Sequence, residues 1–209
     1  VQLSLLEVNE KGEIDLAQLE ELLKKNPKSL VSLMQGNNEI GNLNDLERIG
    51  QMTQAHGAFF HSDTVQTMGH YTHDLSQLPV DALVAGAHKF HGPKGVGFLY
   101  VRKDKKIHPF IHGGAQERNM RGGTENVIGI IGLATALEIS LEELAAHRSQ
   151  IEKIKGYFVE RLRQEIPGIA FNGHSADLQK SLYTVLSISL PPSEANRGML
   201  LFHLDLEGI

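Results

Sequence analysis

Three short apolar runs, Leu30–Met34, Ala58–His61 and Val80–Ala85, are separated by stretches whose apolar residues recur at helical spacing, and this alternation sets the fold class. From Asp15 to Lys25, residues Leu16, Leu19, Leu22 and Leu23 share one helix face. Leu46, Ile49, Met52 and Ala55 do the same and stop at Gly57. A strand, helix, strand rhythm of this kind predicts an α/β protein with a mostly parallel sheet between helices, because parallel neighbours need a crossover and a helix supplies it.

Further along, Val96–Val101 and Ile107–Ile111 read as strands on either side of the charged turn Arg102–Lys106. Residues 126–166 read as helical almost throughout, ending at Pro167-Gly168. Ile169–Phe171 and Tyr183–Ser189 then read as strands and Glu194–Leu206 as a helix, the start of a smaller α+β unit. The expected division is residues 1–145 for a large domain and 146–209 for the beginning of a small C-terminal one. Val1–Val8 is strand-like and the last residues are apolar, so the expectation is an internal piece of a longer polypeptide.

The net charge of −5, without a long block of one sign, argues against nucleic acid as a main partner. No apolar run approaches the roughly 20 residues that span a bilayer, so no membrane role and a cytoplasmic location are expected. The absence of cysteine excludes disulfides and thiolate metal sites within these residues.

In open parallel sheets ligands gather at the carboxyl ends of the strands. Asn37-Asn38-Glu39, His61-Ser62-Asp63 and His88-Lys89 follow three successive strand candidates, so Asn38, Asp63 and Lys89 are expected to point into one crevice. Lys89 lies in a glycine-rich loop, Gly86 to Gly97, where partial desolvation would lower its pKa and free the amine to attack a carbonyl. An ordinary surface turn is the alternative for Lys89, and a helix N-cap is the alternative for Asp63. His108 and His112 stand four apart, but Pro109 and the strand-like context spoil zinc geometry, and no metal is expected.

Five segments together carry a resemblance. They are Asn37-Asn38-Glu39-Ile40-Gly41; His61-Ser62-Asp63-Thr64-Val65-Gln66; Ala87-His88-Lys89 with Gly92-Pro93-Lys94-Gly95; Gly113-Gly114-Ala115-Gln116-Glu117-Arg118; and Arg121-Gly122-Gly123-Thr124-Glu125-Asn126. In this order they resemble the cysteine desulfurases of the class V aminotransferase group, which have the aspartate-aminotransferase-like fold of pyridoxal-phosphate (PLP) transferases. The resemblance covers nearly the whole chain.

It implies pyridoxal 5'-phosphate as cofactor, L-cysteine as substrate, a sulfur-acceptor protein as partner and a homodimer, with sulfur transfer of the kind that feeds iron–sulfur cluster assembly. By it, Lys89 holds the cofactor in a Schiff base, Asp63 pairs with the ring nitrogen, Gln66 bonds the ring oxygen and His88 contacts the phosphate. Asn38 lies near cofactor and substrate carboxylate, and Thr124 reaches the phosphate of the partner's cofactor. Gly86 departs from the pattern, since many desulfurases carry serine there. The nucleophilic cysteine is expected beyond Ile209. Another lyase of this fold, an aminotransferase, a selenocysteine lyase or a non-catalytic scaffold are the alternatives.

Overall fold

The computed structural model describes residues 2–193 and 198–209. Its centre is a four-stranded sheet in the order β1 (Leu30–Met34), β2 (Phe59–Asp63), β3 (Ala82–Gly86), β4 (Gly97–Val101). β1, β2 and β3 are parallel, with Val31 opposite Phe60 and Asp63 opposite Val84, whereas β4 returns antiparallel to β3. The reversal follows from the connection: the segment 87–96 is too short for a crossover helix, so the chain can only turn back.

The helices begin where short polar side chains can satisfy free backbone amides. Asp15 accepts from Ala17 and Gln18 N–H at 2.9 and 3.0 Å and starts α1 (Leu16–Lys25). Asp45 accepts from Arg48 N–H at 3.0 Å and starts α2 (Leu46–Ala55), which Gly57 ends with a φ of +66°. Leu19 and Leu23 of α1 and Leu46 and Ile49 of α2 pack with Val31, Phe60 and Leu83 in one core, under Phe90.

After a distorted helical turn, α3 (Gln116–Asn119), the chain runs through α4 (Val127–Glu142) and α5 (Leu144–Glu165), separated at Glu143. Leu133, Ala136 and Leu137 of α4 pack on the core, while Val127, Ile128 and Ile131 are exposed. The helix is thus apolar on both sides, unlike an ordinary surface helix. Beyond α5, β5 (Ala170–Phe171) and β6 (Ile188–Ser189) form a separate antiparallel pair, followed by α6 (Leu200–Leu206). The part of the last expected helix at 194–197 lies outside the described residues.

Three expected strands are different in the structure. Ile107–Ile111 is irregular, with Phe110 94% exposed, and Pro109 has no N–H to give a ladder. Among the described residues of the N-terminal run only Val8 pairs, in an isolated bridge to Ile14. In 183–189 only the last two residues are in a strand; just before this run the backbone bonds elsewhere, Leu182 N–H donating to Gly41 O at 2.7 Å. No helix among the described residues is long and apolar enough to cross a membrane.

Candidate active site at the strand ends

Backbone hydrogen bonds continue past the last strand residues and hold the three loops together. Gln35 N–H donates to Asp63 O at 2.9 Å, and Thr64 donates to Val84 O through both its N–H, at 3.0 Å, and its hydroxyl, at 2.8 Å. The loops bearing Asn38 and Asp63, and the strand leading to Lys89, are therefore fixed at one end of the sheet.

In the first loop Asn37 does the folding. Its side-chain oxygen accepts from Glu39 and Ile40 N–H at 2.9 and 3.0 Å, which leaves Asn38 exposed, its amide 2.8 Å from Glu39 Oε1. At the end of β2, Asp63 is exposed. Its Oδ1 accepts from Val65 N–H at 2.9 Å, a local turn contact of the type expected of a capping residue, though no helix follows. Gln66 is half-buried in the same turn.

Lys89 ends a single 3-10 turn, Ala87–Lys89, directly after β3. Ala87 and Phe90 are fully buried, and their anchoring turns His88 and Lys89 outward. The expected desolvation of Lys89 is not found: the side chain is exposed, because the turn spends its inward positions on Ala87 and Phe90. Gly86 has a structural reason. A Cβ there would stand 3.2 Å from His88 Cε1, so the glycine lets the imidazole lie back over the strand end.

Thr124 is exposed in the loop between α3 and α4, which is tied to the chain just before it: Gly122 N–H donates to Ile111 O at 2.9 Å and Gly123 N–H to Gln116 Oε1 at 3.1 Å. Asn38, Asp63, Gln66, His88 and Lys89 share the strand ends, while Thr124 stands on the loop between α3 and α4. Among the described residues no group of three or more His, Cys, Asp or Glu could hold a metal.

The structure adds residues the sequence did not single out. Gln35 Oε1 accepts from Thr67 Oγ1 and lies 2.7 Å from His73 Nε2 behind the Asp63 turn. Burial holds His73 below the ordinary histidine pKa, so it is neutral at pH 7. His70 touches the main chain of Lys89. Its other partner, Tyr183, is 113 positions away, and no spacing signal reaches that far.

Residues 1–201 match the aminotransferase class-V family. The chain belongs to this family. Among relatives, it is 38% identical over 208 residues to "Cysteine desulfurase IscS" of Dictyoglomus turgidum, covering all of this chain and 51% of that protein. A solved NifS-like protein superposes with a TM-score of 0.88 at 38% identity, covering 99% of this chain and 55% of the other. A structure of SspA in complex with cysteine gives 0.74 at 28% identity, over 95% of this chain and 53% of that one. The class-V chain thus spans about half the length of the relatives it matches, and its fold is that of their PLP-dependent transferase domain.

The donor set of this class-V site fits pyridoxal phosphate. A projecting amine suits the aldehyde, a carboxylate suits the ring nitrogen, and an amide suits the ring hydroxyl. An imidazole beside a glycine-rich turn suits the phosphate.

Proposed function

We propose that the full-length polypeptide is a pyridoxal-phosphate-dependent cysteine desulfurase that converts L-cysteine to L-alanine and passes the sulfur to an acceptor protein. The observation that carries this reading is the placement of Asp63, Gln66, His88 and Lys89 on the ends of two adjacent parallel strands, β2 and β3, in a chain 38% identical to a named cysteine desulfurase.

When bound, the cofactor supplies an electron sink for the bonds broken at the substrate Cα. Lys89 would hold it covalently and then, released by the incoming substrate amine, move a proton at that carbon. Asp63 would keep the ring nitrogen protonated, since an opposite charge at contact distance raises the pKa of such a base by about 1–3 units. Gln66 would donate to the ring oxygen, and His88 with the backbone amides after it would face the phosphate. Asn38, exposed at the end of the neighbouring loop, would orient the substrate carboxylate.

The reading includes a cytoplasmic homodimer in which Thr124 reaches the partner's cofactor. The exposure of Thr124 supports that role. It also places the sulfur-accepting cysteine outside these 209 residues, which contain none.

The test is turnover of L-cysteine by the full-length protein with the cofactor added. Release of alanine and reducible sulfur without an added 2-oxo acid supports a desulfurase and separates it from an aminotransferase. Asp63→Ala should keep the cofactor attached while lowering turnover by roughly 10- to 1000-fold, the span of the lost pKa support. Full activity of that variant would reject the assignment of Asp63, and the absence of any alanine would reject the function.

A further inference from the structure

The carbonyl oxygen of Lys89 is held by a side chain. His70 Nε2 lies 2.9 Å from it, and His70 Nδ1 lies 3.1 Å from the hydroxyl of Tyr183. A carbonyl can only accept, so Nε2 carries a proton and donates. In the neutral ring Nδ1 is then an acceptor, and the Tyr183 hydroxyl must donate to it.

Each part of this line is built in. Gly69 has a φ of +78°, and a Cβ on it would collide with Cβ of Phe90, so only glycine lets the 67–71 turn press against the Lys89 turn. His70 and Tyr71 N–H both bond Thr67 O, at 3.0 and 2.9 Å, which fixes the backbone that carries the ring.

Tyr183 is 2% exposed, and its N–H donates to the Tyr71 hydroxyl at 3.3 Å. Arg148 of α5 lies over both tyrosine rings, 5.5 and 5.8 Å from their centroids. Burial pushes the Tyr183 pKa up to about 12, so its hydroxyl keeps the proton it donates. One residue earlier, Leu182 O accepts from the buried Lys155 ammonium of α5 at 2.7 Å.

We infer that His70 is a positioning residue for Lys89, kept in the donating tautomer by Tyr183, so that the segment following α5 sets the orientation of the cofactor-bearing lysine. The inference rests on the reading of Lys89 given above. A general packing role would need only a group of similar size at position 70. A positioning role needs a donor at Nε2 and an acceptor at Nδ1.

The experiment uses the full-length protein loaded with pyridoxal phosphate. Attachment at Lys89 is first mapped by borohydride reduction and peptide mass spectrometry. Visible circular dichroism of the bound cofactor and its rate of loss on dialysis are then compared for wild type, His70→Leu, His70→Gln and Tyr183→Phe.

His70→Leu should weaken the dichroic band and speed cofactor loss about fivefold, the effect of one ordinary hydrogen bond. His70→Gln, whose amide nitrogen can take the place of Nε2, should restore both to within about twofold of wild type. Tyr183→Phe should fall between, about twofold faster, because it frees the other tautomer. Should His70→Leu fail to fold, Tyr183→Phe decides alone, and a wild-type band and loss rate in it would overturn the inference.

With the adduct at Lys89 present, wild-type behaviour of His70→Leu and Tyr183→Phe overturns this inference alone, as does a His70→Gln variant no better than His70→Leu. Absence of the adduct in wild type overturns the assignment of Lys89 and this inference together.

Discussion

Lys155 and Leu182 meet inside the protein: the ammonium of α5 donates to the Leu182 carbonyl oxygen at 2.7 Å and to Ser181 Oγ at 3.0 Å, with the lysine only 6% exposed. A cation in that position is solvated by protein oxygens instead of water. Burial therefore pulls its pKa down from 10.5 to about 8.

The sign of the resulting pH dependence is fixed. Below pH 8 the lysine is charged in both folded and unfolded chains, and the folded state bears the desolvation cost. Between pH 8 and 10.5 the unfolded chain binds more protons, so stability rises with pH. Above pH 10 Tyr183 opposes this, because its raised pKa lets the unfolded tyrosine ionise first. Urea unfolding should show wild type gaining stability over Lys155→Met from pH 8 to 10. Parallel profiles would contradict the buried charge.

Asp81 stitches three strands just before β3. It is 1% exposed, accepts from Phe60 N–H at 2.9 Å, and meets Arg102 at 3.0 Å and Lys105 at 3.3 Å. Asp81→Ala would leave the buried Phe60 N–H unsatisfied and take the carboxylate from Lys105 and from Arg102, which keeps Asp104, at a cost of about 2–4 kcal/mol. Asp81→Asn keeps an acceptor and should cost about half as much. Equal urea midpoints for Asp81→Ala and wild type would refute the stitch.

Two helical glycines should respond oppositely to alanine. Gly156 in α5 has nothing within 4 Å of its missing Cβ, so Gly156→Ala should stabilise by about 0.5–1 kcal/mol through helix propensity and chain entropy. Gly50 in α2 is buried, and a Cβ there would run into the carbonyl oxygen of Pro79. Gly50→Ala should therefore destabilise by about 1–3 kcal/mol despite the same propensity gain. Thermal melts of the pair check both signs.

Much of this molecule is legible in its sequence because the decisive signals are local. Asp15 and Gly57 mark helix ends within one turn of where they act, and the placement of Asp63 and Lys89 after apolar runs is enough to set them at the sheet's carboxyl edge. The apolar run Ile107–Ile111 misleads, since composition alone cannot show that no neighbouring strand pairs with it. The exposure of Lys89 depends on which residues of one short turn face inward, a choice made by the packing of Ala87 and Phe90.

The contact of His70 with Tyr183 is invisible in the sequence for a different reason. It joins residues 113 positions apart, and each looks unremarkable in its own neighbourhood. Gly69 is the single local hint, a glycine in a turn that needs a positive φ.

Whether Lys89 carries the cofactor is decided by borohydride reduction of the full-length protein with pyridoxal phosphate, followed by peptide mapping. One reduced adduct is expected, on Lys89, and it disappears in Lys89→Ala. No adduct in wild type, or an adduct elsewhere that survives Lys89→Ala, would contradict that assignment.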